Sequence, residues 1–401
     1  MSTTAEQMRA WTGPAILAYG FRPFFLGAAL WAALAMALWV PMLSGALTLP
    51  TAFDPVSWHA HEFLFGYLGA VVAGFLLTAV PNWTGRLPIV GWPLGGLCAL
   101  WLAGRGAVGV SGHLSPIATA VADLSLPVVL GTVIAREIIA GKNWRNLMVL
   151  GMLTLFAAGN AIFHWEAAQG DYAAQGVGLR LGLSAAVMMV AVIGGRIVPS
   201  FTRNWLARRA EGPLPASPMQ RFDKLALFVL LATLLVWTGL PRHPVAGAML
   251  VLAGLLHIVR LARWAGHRTM AEPLVTVLHA GYLFVPLGAV TLGTEIVAPG
   301  LLGIGAAQHL WMAGAIGLMT LAVMTRATLG HTGQALRAGP GTTAIYAALL
   351  VAVSMRVSAG IWPAGAAQLH AVAGIAWIGA FGGYALVYGQ LLLRAAPAKR
   401  I

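Results

Sequence analysis

Apolar runs of about twenty residues recur along the whole sequence, separated by short breaks rich in glycine, proline, arginine or tryptophan. A helix of that length rises about 30 Å, the thickness of a bilayer's hydrocarbon core. Lipid offers the backbone no hydrogen bonds, so a spanning segment is either a helix or part of a closed barrel. Barrel strands would alternate polar and apolar residues over about ten positions. These runs are continuous, and they predict helices near 22–43, 62–80, 87–109, 116–138, 146–165, 179–199, 224–240, 244–262, 273–294, 300–325, 341–362 and 366–393. The expected fold class is all-α: a polytopic integral membrane protein of about twelve transmembrane helices.

Charge refines this picture. The chain carries 24 Lys and Arg against 11 Asp and Glu, a net charge of +13. Such an excess suits a nucleic-acid binder until it is mapped. With the N-terminus inside, only Arg105, Arg180, Arg242 and Arg356 fall on the outer side or within the membrane. All other basic residues, from Arg9 and Arg22 through Arg86 to Lys399 and Arg400, fall on the cytoplasmic side. The positive-inside rule accounts for that bias, so the expected partner is the lipid bilayer and not nucleic acid. Both termini are then cytoplasmic. Trp39, Trp58, Trp83 and Trp144 near span ends form the expected interfacial belt. The whole chain, 1–401, reads as one membrane domain. Two six-helix halves, 1–200 and 221–401, are joined by a basic, proline-containing cytoplasmic loop at 201–220. Residues are 59% hydrophobic and only 9% charged, where a soluble domain has roughly 25% charged. The single cysteine, Cys98, excludes intrachain disulfides, Cys-rich zinc or iron–sulfur sites and c-type haem attachment. The first twenty residues show no signal peptide. Phosphate loops, hydrolase elbows, HExxH and dinucleotide fingerprints do not occur in a suitable context.

Eleven histidines are the unusual feature of so apolar a chain, because an ionisable side chain inside a membrane is costly. His59, His61, His113, His164, His309 and His370 sort toward the outer side. His257, His279 and His331 sort toward the inner side. His113, His243 and His267 read as ordinary loop residues. In Trp58-His59-Ala60-His61-Glu62 two imidazoles stand just before the second span, where an irregular entry could let them converge on a metal. Glu62 could orient one of them. Span ten repeats the pattern: His61-x4-Gly66-x2-Gly69 matches His309-x4-Gly314-x2-Gly317, either by chance or by duplication. On the inner side, His257 and His279 lie on adjacent antiparallel spans at similar depth, the arrangement that holds b-type haem. Arg196, Arg260 and Arg326 are near enough in depth to serve haem propionates. Against these readings stand the plainer ones, in which each histidine bonds a carbonyl or headgroup and the arginines follow the positive-inside rule. Arg105 and Asp123 read as a structural charge pair across the hairpin of spans three and four. Arg356 and Glu295 read as outer-leaflet groups for pairing or proton handling.

The strings WHAHEFLFGYLGAVVAGFLLTAVPNWTGR (58–86), GFRPFFLGAALWA (20–32), GGRIVPSFTRNWL (194–206), LHAGYLFVPLG (278–288) and GAIGLMTLAVMTRATLGHTG (314–333) resemble, in order and over nearly the whole chain, the NnrS family of bacterial membrane proteins. The resemblance implies a multi-pass protein of the bacterial inner membrane. It implies haem b and copper as cofactors, and a role in nitric oxide metabolism or resistance to nitrosative stress. The motif histidines are His59, His61, His279, His309 and His331, with His257 and His164 less securely placed. Which of them bind haem and which copper does not follow from the resemblance. Nor does the electron donor, or whether the chain is a haem-dependent oxidoreductase acting on NO. A secondary transporter of haem, metal or a small solute is the competing reading, with Pro127, Pro286 and the glycines of 300–305 as helix breakers. A sensor or assembly partner is the third.

Overall fold

Every regular element among the described residues is helical. The computed structural model describes residues 11–85, 88–210 and 212–394. Arg9, Arg86, Lys399, Arg400 and both chain ends, on which part of the charge argument falls, lie outside them. Among the described residues twelve long helices follow one another: α1 (Phe21–Leu43), α2 (Pro55–Thr84), α3 (Trp92–Gly109), α4 (Pro116–Ala140), α5 (Leu147–Ala168), α6 (Val177–Arg209), α7 (Arg221–Gly239), α8 (Pro244–Ala262), α9 (Pro273–Val297), α10 (Ile304–His331), α11 (Pro340–Ile361) and α12 (Ala366–Leu393). Eleven of these are both long and apolar enough to cross a membrane. The exception, α3, has 18 residues and carries Arg105 near its end. Together they make a polytopic all-helical membrane protein.

Local chemistry explains where the helices start. Proline stands at the first turn of α2, α3, α4, α8, α9 and α11, where its missing N–H is not needed. At α2 the Asp54 carboxylate accepts from the amides of Val56 and Ser57 at 2.9 and 3.0 Å. This cap moves the start of α2 to residue 55, ahead of the predicted 62. His59 and His61 are therefore helical, and the expected irregular entry is absent. Helix α6 continues to Arg209 instead of ending near 199, because Pro199 is accommodated within it; the predicted 201–220 loop is shorter for that reason. Helix α10 likewise runs past 325 to His331. Two helices change character midway. Glu62–Tyr67 in α2 and Leu310–Gly317 in α10 are π-helical, a wider winding that often marks functional sites.

Two compact units partition the contacts. The first gathers Met1–Gly182, Met324–Ala335 and Phe381–Ile401; the second gathers Leu183–Val323 and Leu336–Ala380. Within the first, the Arg22 guanidinium donates to the carbonyls of Leu392 at 2.9 Å and Arg394 at 2.6 Å. These carbonyls end α12 and have no helical partner of their own, so the cation satisfies both their hydrogen bonding and the negative end of the helix dipole. Within the second, a fully buried Arg260 on α8 pairs with Asp223 at 3.0 Å and donates to the Tyr282 hydroxyl at 2.6 Å and the Ala191 carbonyl at 3.0 Å. A buried cation with this many partners is an internal strut.

Candidate metal centre

Four helices of the first unit converge on a buried polar cluster: His61 and Glu62 from α2, Arg105 from α3, Asp123 from α4, and Asn160 and His164 from α5. Close helix approach makes this possible. A Cβ at Gly66 would lie 2.5 Å from Arg105 Nη1, and one at Gly104 would lie 2.9 Å from Asp123 Oδ1. Asn160 and His164 are four residues apart and so share a face of α5. Pro127, four residues after Asp123, supplies no N–H for the Asp123 carbonyl. The π-helical turn after His61 leaves the Gly66 carbonyl to accept from Trp101 Nε1 at 3.0 Å.

Asp123 is the hub. Its Oδ2 lies 3.2 Å from His61 Nε2 and 3.0 Å from His164 Nε2, and accepts from Asn160 Nδ2 at 2.7 Å. Its Oδ1 accepts from Arg105, which also donates to Glu62 Oε1 at 2.5 Å. Glu62 Oε1 is 3.0 Å from His61 Nδ1. The second carboxylate oxygen of Glu62 is buried without a hydrogen-bond partner.

The electrostatics are unbalanced in a specific way. Two carboxylates face one guanidinium, which leaves one negative charge in a site from which water is largely excluded. A neutral His61 that donates Nδ1–H to Glu62 turns its Nε2 lone pair toward Asp123 Oδ2 and, at 3.0 Å, Asn160 Oδ1. Lone pairs converging on one another require a cation among them, either a proton or a metal. Nitrogen and oxygen donors of His61, Asp123 and His164 all lie within 4.8 Å of one another, a spacing that one ion can bridge. The Glu62–His61 contact is the carboxylate–imidazole support usual behind metal-bound histidine. Imidazole with carboxylate suits copper, zinc or iron, so the residues present fit a single transition-metal ion.

A cavity adjoins the cluster. Arg105, Asp123 and Asn160 form its polar side, and Phe65, Leu126 and Phe156 are among the apolar residues opposite. It has room for one molecule of about water's size.

The remaining candidates have other surroundings. His59 does not join His61. Two positions along a helix point to different faces, and His59 stacks on Trp39 at 4.0 Å and packs against Phe63. His331 is an aromatic packing partner, 5.2 Å from Tyr19 and 5.3 Å from Phe21. In the second unit, His309 Nδ1 contacts the Gly305 carbonyl of its own helix at 2.6 Å. His257 has both ring nitrogens engaged, by the Tyr282 hydroxyl at 2.9 Å and the Ala226 carbonyl at 3.2 Å. His279 Nε2 is 2.7 Å from the Thr202 hydroxyl. Its Nδ1 lies against Gly266, where a single added carbon would come within 2.6 Å. Neither imidazole offers a nitrogen to a space the size of a porphyrin, so this pair does not fit axial haem ligation. Arg260 is committed to Asp223, and Arg196 and Arg326 are half-buried on α6 and α10. Sequence reasoning missed Asn160 altogether, although its spacing from His164 was a visible signal.

Fold and cluster define a class: a multi-spanning helical membrane protein with an acidic, histidine-containing centre buried among four of its spans. The chain belongs to the NnrS family, whose model, described as NnrS protein, matches residues 15–395. No curated protein matches it.

Proposed function

We propose that this chain holds a copper ion at His61, His164 and Asp123 and uses it to bind nitric oxide or a related diatomic, in nitric oxide metabolism or defence against nitrosative stress. The observation that carries the reading is the unbalanced negative charge and convergent lone pairs at Asp123, beside a small cavity that the same residue lines. Copper would supply an open coordination position and a redox-active centre. The chain's own residues do the rest. Glu62 fixes His61 in the tautomer that presents Nε2. Arg105 neutralises one of the two carboxylates and holds both in place. Phe53 stacks on His61 at 5.5 Å, and with Phe65 and Phe163 limits water at the imidazoles. Nitric oxide is small and weakly polar, partitions into lipid, and suits a cavity faced by Phe65, Leu126 and Phe156. The family resemblance supports copper and the link to nitric oxide; a site for haem b does not emerge from His257 and His279.

The test is metal analysis of the purified protein. About one copper per chain is expected, with a paramagnetic signal in the oxidised form that changes on adding NO. Both His61→Ala and His164→Ala are expected to lose the metal, whereas His257→Ala keeps it. Stable protein that takes up no metal from a copper-loaded buffer would refute the proposal.

A further inference from the structure

Helices α2 and α10 share more than a histidine and two glycines. Each becomes π-helical immediately after that histidine, His61 or His309. Each ends in Thr-Gly at the same offset, with Gly85 and Gly333 left-handed at φ 68° and 74°. In each the threonine hydroxyl donates to the carbonyl four residues back, Thr84 to Val80 at 2.9 Å and Thr332 to Thr328 at 2.7 Å. The following helices continue the correspondence, since α3 and α11 start at that same offset. Arg356 on α11 falls within one turn of the register of Arg105 on α3, and His370 on α12 within one turn of that of Asp123 on α4. Segments 55–140 and 304–393 are thus two versions of one three-helix design.

The versions differ in charge. In the first, the arginine meets two carboxylates, Glu62 and Asp123. In the second, Leu310 follows the histidine where Glu62 does in the first, and a histidine stands near the register of Asp123. Arg356 Nε and His370 Nε2 are both buried with no hydrogen-bond partner among the described residues. By that register the two stand where Arg105 and Asp123 pair in the first segment. Arg356 Nη2 comes within 3.8 Å of where a Cβ would stand on Gly305, in the first turn of α10, so the cation lies at the positive end of that helix. Glu295, the buried carboxylate at this end of α9, is already committed to the amides of Gly300, Leu301 and Leu302 at 2.7, 3.2 and 3.0 Å. The guanidinium and the first turn of α10 therefore meet beside the His370 imidazole, and no carboxylate is shown bonded to either side chain among the described residues.

We propose that Arg356 and His370 form an anion site, filled from outside by a ligand with paired oxygens, in the place where the first segment uses its own Asp123. Guanidinium takes such a ligand through two parallel N–H donors, and imidazole Nε2–H adds a third. A planar monovalent anion such as nitrite has the shape of the missing carboxylate. A lipid phosphate offers the same oxygens.

The experiment uses the full chain, freed of metal by chelation so that nitrite cannot report on the His61 cluster, in uncharged detergent. The thermal unfolding midpoint is followed against nitrite, and separately in vesicles of phosphatidylcholine with and without phosphatidylglycerol. A saturable rise with nitrite that is at least tenfold weaker in affinity for Arg356→Gln identifies a small-anion site. A rise with phosphatidylglycerol alone, lost in Arg356→Gln, identifies the same site filled by lipid. His370→Asp restores the carboxylate, so it is expected to raise the midpoint without any anion and to abolish the response; it decides the matter even if Arg356→Gln does not fold. No response to either anion, or an equal response in both variants, would overturn the proposal.

Discussion

Replacing Arg105 with methionine is expected to destabilise the protein by about 3–5 kcal/mol, because it strands Glu62 and Asp123 as uncompensated charges inside the membrane. Arg105 is about 95% shielded from solvent and touches both carboxylates. The variant should show a lowered unfolding midpoint in detergent and a poor yield of membrane-inserted protein. Adding Glu62→Gln and Asp123→Asn to Arg105→Met removes the stranded charges and should recover much of the loss. If the single variant unfolds at the wild-type midpoint, the cation is not what holds the carboxylates in place.

Glu62→Gln alone is expected to weaken metal binding about 10–100-fold while leaving His61, His164 and Asp123 in place. The carboxylate makes His61 a better donor by accepting its Nδ1–H; an amide keeps the shape but not the charge. Titration with copper against a competing chelator measures the change, and the unfolding midpoint of the metal-free variant separates it from a packing defect. Unchanged affinity would mean that His61 is not oriented by Glu62.

The helices were legible in the sequence because lipid permits few alternatives to a continuous apolar run. Their ends were less so. Asp54-Pro55 is a start signal that hydropathy ignores, since the first turns of α2 are polar, and the span expected to end near 199 runs on because the helix tolerates Pro199. The cluster was legible in fragments. His61, Glu62 and His164 were read toward metal, Arg105 and Asp123 toward a charge pair, and nothing in the local spacing said that these five meet. Their meeting depends on four helices packing through Gly66 and Gly104, which is tertiary information. The likeness of His61 and His309 was read as chance or duplication, and the matching π-helical turns favour duplication. A repeated motif reports common descent of two segments and says nothing about contact between them. The ring nitrogens of His257 and His279 turn to Tyr282, Ala226 and Thr202, because equal depth on adjacent spans does not fix which way a ring faces.

Arg22 grips the final carbonyls of α12, and this has a consequence for biogenesis. The cation on α1 is synthesised 370 residues before the Leu392 oxygen that receives it. Until α12 is made, that guanidinium must rely on headgroups and water. The first unit therefore closes only once α12 is in place, and a chain truncated before α12 leaves α1 without its latch.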